Sequence, residues 1–237
     1  MGINYRIKKE LRLIFFIFII CFVSLLLILN SSFFAVVIPY KIQNIISFLK
    51  QEIQTPVNLN YSLTPLFENQ KDEKKINIAI PLEIETQGQK ENLIYLPKFN
   101  IVAPVLTVNS ANLKTIYSTL RKGTVVYPST DLPGQGYTII LGHSSQYPWE
   151  PGKYKTVFSL LNEFNEGDFV VIYWNKRKLI FKVEAKKIFL PWPKGNEITE
   201  TIFPPQPNQK IVILQSCWPV GVAYKRVAVK TVLVDTK

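Results

Sequence analysis

Residues 211–234 read IVILQSCWPVGVAYKRVAVKTVLV, and this stretch decides the fold. An apolar run ends at Cys217, a short loop with Pro219 and Gly221 follows, and an alternating strand opens near Arg226. Proline and glycine at these positions are typical of a turn, so the pattern predicts two antiparallel strands joined by a short loop. We expect this return to bring Arg226 beside Cys217, where a fixed cation favours the thiolate form of the cysteine.

The only histidine of the chain, His143, also stands at the end of an apolar strand, directly after Gly142. Cysteine, arginine and histidine at three strand ends can serve as nucleophile, charge stabiliser and acid/base. Taken singly, a lone Cys or His is more often a packing residue, and Arg226 alone would be a snorkelling strand residue. The hypothesis of a catalytic site therefore depends on the combination.

The combination resembles the site of the sortase family. Sortases carry a Thr-Leu-x-Thr-Cys strand, an Arg on the next strand and a His after a Gly at the end of an earlier strand; this chain has Ile213-Leu214-Gln215-Ser216-Cys217, Arg226 and Gly142-His143. Ile213 replaces the first Thr, and Ser216 replaces the second while keeping a hydroxyl group. The resemblance runs from about Tyr95 to the C-terminus, and the short Cys-Trp-Pro-x-Gly loop is closest to class D and E sortases.

Short segments of alternating apolar residues dominate the same region. They predict strands near residues 98–108, 136–141, 168–174, 178–187, 211–216 and 227–234, helices at 110–120 and 156–164, and a hairpin turn at 175–177. Many short strands at regular spacing indicate a closed β-barrel or a sandwich. The resemblance selects an all-β fold: the closed, eight-stranded sortase barrel with two short helices.

The resemblance also implies a role for each site residue. Cys217 attacks a backbone carbonyl and forms a thioester, Arg226 stabilises the oxyanion, and His143 protonates the leaving amine. The substrate contacts expected are Ser216, Trp218, Leu214 and Trp192, the last in the proline-rich loop 186–210, which in sortases walls the peptide groove. No Asp or Glu lies near His143 in the sequence, so a Cys-His-Asp triad is not indicated.

The implied function is transpeptidation. The enzyme would cleave an LPxTG-like C-terminal sorting signal of a protein or pilin, and transfer that protein to an amine of the cell envelope such as a peptidoglycan precursor. The alternative is a catalytically silent envelope-binding or assembly module, suggested by the loss of Thr at Ile213. A peptidoglycan cross-linking cysteine transpeptidase is a third possibility, but its Ser-His-Gly-Cys pattern is absent from the sequence.

We expect no cofactor and no metal requirement. The acids Glu163, Glu166 and Asp168 do not match an EF-hand loop, and only Asp131 precedes the His strand, where some sortases hold calcium.

An unbroken apolar run, residues 13–29, follows four basic residues near the N-terminus. Its length and basic flank predict a single-pass membrane anchor with a cytoplasmic N-terminus. We expect a cytoplasmic segment 1–12, an anchor 13–38, a stalk or linker 39–92 with a possible strand at 76–80, and an extracytoplasmic catalytic domain 93–237. A cleaved signal peptide is the alternative, although its apolar region is usually only about 7–15 residues long.

Composition and charge limit the classes of partner that we expect. The 237-residue chain is 47% hydrophobic, which argues against disorder, and its formal charge is +11. Nucleic-acid motifs are absent from the sequence, so we expect an anionic envelope surface rather than nucleic acid as the charged partner. Cys21 lies within the apolar run, and a structural disulfide with Cys217 is therefore not expected.

Overall fold

The fold is taken from a computed structural model, which describes residues 2–29, 31–53, 78–191 and 197–236. The expected substrate contact Trp192 lies outside these ranges, as do the first two residues of the expected strand 76–80.

Eight strands close into a barrel in the order β1-β2-β3-β4-β7-β8-β6-β5. The strands are β1 Leu93–Leu96, β2 Ile101–Thr107, β3 Thr124–Val126, β4 Tyr137–Leu141, β5 Phe169–Trp174, β6 Arg177–Phe189, β7 Ile211–Trp218 and β8 Lys225–Thr236. The predicted closed eight-stranded barrel is confirmed. The alternating pattern missed β1 and β3 as separate strands, because segments of 4 and 3 residues are too short to show a period.

Strand β7 is buried on both faces. Val212 and Leu214 point into the barrel core, whereas Ile211 and Ile213 pack outside it in a second apolar cluster with Phe203. Successive residues of a strand face opposite sides, so both sides must be apolar when both are covered. This double burial explains why β7 is an unbroken apolar run up to its polar end.

One long predicted helix is present and the other is not. Helix α4, Leu113–Leu120, begins later than the predicted residue 110 and is capped by Asn112, whose side chain accepts the Lys114 N–H at 2.9 Å. The predicted helix 156–164 is wrong: turns there lead into the 3₁₀ helix Leu161–Glu163. A tertiary bond competes with helix formation, because the Phe158 N–H donates to the His143 carbonyl at 2.9 Å.

Two further short helices flank the barrel. Helix α3, Leu82–Gly88, lies in the segment predicted as stalk, and Ile78, Ile80 and Ile84 pack on the outer cluster built around Tyr173. Residues 78–80 form no strand, so that prediction is wrong for the described part of 76–80. Helix α5, Glu197–Ile202, interrupts the region 186–210 that was predicted to be a loop.

Two long helices, α1 Gly2–Leu29 and α2 Ser31–Ile53, lie N-terminal to α3 in the described part of the chain. Within α1, residues Glu10–Leu29 are long and apolar enough to cross a bilayer, which is consistent with a membrane anchor; a signal sequence near the N-terminus can meet the same criterion. Helix α2 contacts the barrel through an ion pair between Lys41 and Glu163 at 3.2 Å. The rings of Tyr40 and Phe99 meet edge to face, with centroids 5.3 Å apart.

Candidate active site

Three adjacent strands bring the predicted catalytic residues to one end of the barrel. Cys217 and Arg226 are direct partners in the antiparallel β7–β8 ladder. On the other side of β7, Leu141 at the end of β4 pairs with Gln215 in a parallel ladder. His143 lies two residues beyond Leu141, at the level of Cys217. Residues directly opposite each other on neighbouring strands point to the same face, so all three side chains lie on the outer face of this sheet.

The three side chains line one cavity, the catalytic cleft, of about 260 Å³. Helix α4 forms its other wall through Leu113, Ile116 and Tyr117, and Pro191 also lines it. The cleft is therefore an apolar slot with a cysteine, an imidazole and a guanidinium at one end. An apolar cavity with a few convergent polar groups is typical of a ligand-binding site.

The main chain before His143 is held on both sides. The Gly142 N–H donates to the Gln215 carbonyl at 3.2 Å, and the Ser216 hydroxyl donates to the Gly142 carbonyl at 2.7 Å. A Cβ atom at position 142 would lie 2.4 Å from the buried ring of Phe158, so only glycine fits. The hydroxyl of Ser216, a predicted substrate contact, thus holds the main chain next to His143 in place, and Ser216 also lines the cleft.

His143 is only 8% exposed, and burial lowers its pKa to about 4, with a further contribution from the charge of Arg121. Its imidazole is therefore neutral at pH 7. The ring of Tyr117 is nearly parallel to it at a centroid distance of 6.3 Å. The Gln146 amide nitrogen lies 3.4 Å from Nδ1 and 3.2 Å from Nε2. An atom this close to both ring nitrogens lies over the ring face rather than along either lone pair.

Burial also has the largest effect on the pKa of the Cys217 thiol. It raises the pKa of the thiol, and the nearby charge of Arg226 lowers that pKa by less than burial raises it. The expectation that Arg226 favours the thiolate is correct for this one contribution, but the net shift has the opposite sign. The Nη1 atom of Arg226 donates to the carbonyls of Ala223 and Lys225, at 3.2 and 3.0 Å. The guanidinium is thereby tied to the β7–β8 loop beside the sulfur.

Two other expected substrate contacts, Leu214 and Trp218, do not line the cleft. Leu214 is fully buried in the barrel core, and half-buried Trp218 packs against that core and lines a different groove, against α2. Sequence reasoning missed Tyr117 and Gln146. Tyr117 lies within the predicted helix 110–120 and is 51% exposed. Gln146 is three residues after His143, and that spacing was the available signal.

Comparisons with known proteins identify the fold and the family. The chain matches the family model for the sortase domain over residues 94–234, more than half of its length. A search of curated proteins finds no match. The barrel is similar to the lid mutant of sortase A from Corynebacterium diphtheriae, with 24% identity over 61% of this chain and 70% of that chain and a TM-score of 0.50. It is similar also to sortase C-1 from Actinomyces oris, with 21% identity, 61% and 73% coverage and a TM-score of 0.50.

At these identities the two structures show the fold alone, that of a sortase-type barrel. The family match goes further, because it covers most of the barrel and includes all three strands of the site. The chain belongs to the sortase family, whose members are cysteine transpeptidases.

Proposed function

We propose that this protein is a membrane-anchored sortase in which Cys217 is the nucleophile, Arg226 the oxyanion donor and His143 the acid/base. The supporting observation is the convergence of these three residues. They come from separate parts of the sequence, occupy adjacent strand ends and line the same cleft. The substrate is a protein or pilin with a C-terminal sorting signal, and the acceptor is an amine of the cell envelope.

In the first step, Cys217 Sγ forms a bond to the carbonyl carbon of the scissile peptide, and the C–N bond of that peptide breaks. The thiol proton passes to His143 and from there to the departing amine. Arg226 donates hydrogen bonds to the oxyanion while the tetrahedral intermediate exists. The product is a thioester on Cys217, with a neutral His143.

In the second step, the acceptor amine attacks the thioester carbon and gives its proton to His143. The C–S bond breaks, the proton returns to sulfur, and a new amide leaves the site. No net oxidation or reduction occurs. Within each step His143 therefore acts first as a base, in its neutral form, and then as an acid, in its imidazolium form.

Burial sets the starting protonation state. A thiol with a raised pKa and an imidazole with a pKa of about 4 are both uncharged at pH 7. The thiolate–imidazolium pair is then a minor species in the free enzyme, and proton transfer accompanies attack on the bound peptide. The positive charge of Arg226, held beside the sulfur by the loop carbonyls, favours the negative charge that develops during this transfer.

The test is a transpeptidation assay with the full-length chain in detergent. A panel of sorting-signal peptides is incubated with a short peptide amine, and ligated product is measured by mass spectrometry. We expect product from the parent and from Cys21→Ala, and none from Cys217→Ala. Intact peptide across the whole panel would overturn the proposal. Equal turnover by Cys217→Ala would do the same.

The alternative, a catalytically silent module, was suggested by Ile213. That side chain is fully buried in the outer cluster with Phe203 and does not line the cleft. The departure from Thr therefore lies away from the proposed chemistry, and it gives the silent module no structural support. If envelope retention of partner proteins were unchanged by Cys217→Ala, the silent module would be favoured. The assignment to class D or E, from the loop after Cys217, stays a prediction.

A further inference from the structure

Two loops beside Cys217 expose large apolar side chains to solvent. Tyr147 and Trp149 are 52% and 63% exposed, and Val222 and Tyr224 are 52% and 62% exposed. The rings of Tyr147 and Trp149 stack with centroids 4.8 Å apart and planes 6° apart, so they present one flat surface. A concentration of exposed aromatic residues on a soluble domain indicates a surface that contacts something else.

These loops lie against the end of the apolar helix α1. Leu29, the last residue of that helix, lines a cavity of about 240 Å³ together with Tyr147 and Val222. His143 and Cys217 line the same cavity from its inner side. The second opening to the sulfur is therefore next to the point where the candidate membrane span ends.

Helix α2 supplies a further apolar surface on the other side of the β7–β8 loop. Four exposed isoleucines follow helical spacing along it: Ile38, Ile42, Ile45 and Ile46. Three of them, Ile38, Ile42 and Ile45, line a groove with Trp218, Pro219 and Val220. The loop 219–224 thus lies between the end of α1 and the apolar stripe of α2.

Two lysines, Lys41 and Lys225, lie at this surface, and Lys41 is paired with the acid Glu163. Lys225 Nζ lies 5.9 Å from the ring centroids of both Trp218 and Tyr224. Lys41 on α2 has a side chain that is 57% exposed. Aromatic residues with adjacent lysines are typical of the headgroup layer of a membrane, and the formal charge of +11 favours anionic lipids.

We infer that the face made by α2, residues 144–149 and residues 219–224 docks on an anionic bilayer surface. This inference rests on the proposed membrane anchoring by α1 and extends it to the catalytic face. Because Leu29 and Cys217 line one cavity, that opening of the site lies at the lipid headgroups. A substrate held at the membrane reaches the sulfur from this side without leaving the surface.

Spin labels on the full-length chain in nanodiscs of phosphatidylcholine and phosphatidylglycerol test the inference. A nitroxide is attached to Cys21 in Cys217→Ala, which reports on the anchor. In chains that also lack Cys21, it is attached through Trp149→Cys on the docking face or through Arg177→Cys on the β5–β6 hairpin. Arg177 is exposed and lies at the barrel end away from Cys217, so it is the matched control.

The measured quantity is relaxation enhancement by oxygen, which partitions into lipid, relative to a water-soluble nickel chelate. We expect the oxygen-to-nickel ratio at position 149 to exceed that at position 177 and to remain below the ratio at Cys21, because position 149 lies at the headgroups and Cys21 within the apolar span. Equal ratios at 149 and 177, with a lipid-like Cys21, would overturn the docking while keeping the anchor. A low oxygen-to-nickel ratio at Cys21, typical of a position in water, would overturn both the membrane anchor and the docking. Shielding of position 149 from both reagents would indicate cover by a second copy of the chain and would also overturn bilayer docking.

Discussion

Replacing Gly142 by alanine tests whether close packing at this position holds His143 in place. An added Cβ would lie 2.4, 2.7 and 2.8 Å from three ring atoms of Phe158. That ring is fully buried among the side chains of the barrel core, so moving it would disturb their packing. The backbone at 142 must therefore shift, which strains its bonds to Gln215 and Ser216. We expect overpacking to cost about 1–3 kcal/mol of unfolding free energy.

The effect on catalysis should exceed the effect on folding. For a chain of this length, each kcal/mol lowers Tm by about 2–4 °C, whereas a displacement of about 1 Å at a catalytic group can cost about 10²-fold in rate. Peptide turnover at a temperature where the variant is fully folded, measured by circular dichroism, separates the two.

Gly167→Ala is the matched control for this variant. A Cβ there meets no atom within 4 Å, but the residue has a φ of +92°, so alanine strains the backbone away from the cleft. We expect lower stability with parental turnover per folded molecule. Parental turnover by Gly142→Ala, or equal losses of turnover in both variants, would refute the packing argument.

Three further predictions concern the charged and titrating groups. Arg226→Lys replaces the planar guanidinium with a single ammonium donor, so the rate of acylation should fall by about 10²–10³-fold, or about 2.7–4 kcal/mol. Alkylation of the thiol should persist. Turnover at the parental rate would show that Arg226 has only a structural role. Because His143 is the only histidine, NMR titration gives its pKa directly, and we expect about 4. Because the pKa of His143 is lower in the folded chain than in the unfolded chain, the unfolded chain binds the proton first as pH falls. The contribution of the neutral ring to stability is therefore present above about pH 6.5 and is lost as pH falls towards 4. The variant His143→Gln should lose less stability than the parent between pH 6.5 and 4, and equal losses would contradict the burial of a neutral ring. Alkylation of Cys217 by iodoacetamide should still be rising at pH 9, because its pKa is raised above the usual value; a plateau near pH 7 would show a stabilised thiolate instead.

Predictions from the sequence were most accurate where a segment was long enough to show several repeats of the strand or helix period. The run ending at Cys217, the turn and the alternating strand after it predicted β7, β8 and the pairing of Cys217 with Arg226, all of which the structure contains. The same periodicity failed for residues 156–164. Their apolar spacing fits a helix, but the Phe158 N–H bonds to the His143 carbonyl, a partner fifteen residues away that no local pattern reveals.

Side-chain direction explains the mixed outcome for the expected substrate contacts. Counting in twos from Cys217 along β7 reaches Gln215 and Ile213 on the outer face, so Leu214 must point into the barrel. The inward direction of Leu214 could therefore have been predicted from the sequence. The net pKa shift of Cys217 was not, because it depends on how much of the thiol is buried by other strands, and burial is a property of the assembled barrel.

The most direct test of the account is detection of the acyl-enzyme. The full-length protein is mixed with a sorting-signal peptide without added amine, quenched in acid and analysed by intact mass and peptide mapping. The account predicts an adduct of the N-terminal peptide fragment on Cys217 in the parent and in Cys21→Ala, removed by a later addition of amine with formation of the ligated product. Cleavage of the peptide without any adduct on Cys217, or an adduct that persists in Cys217→Ala, would contradict it.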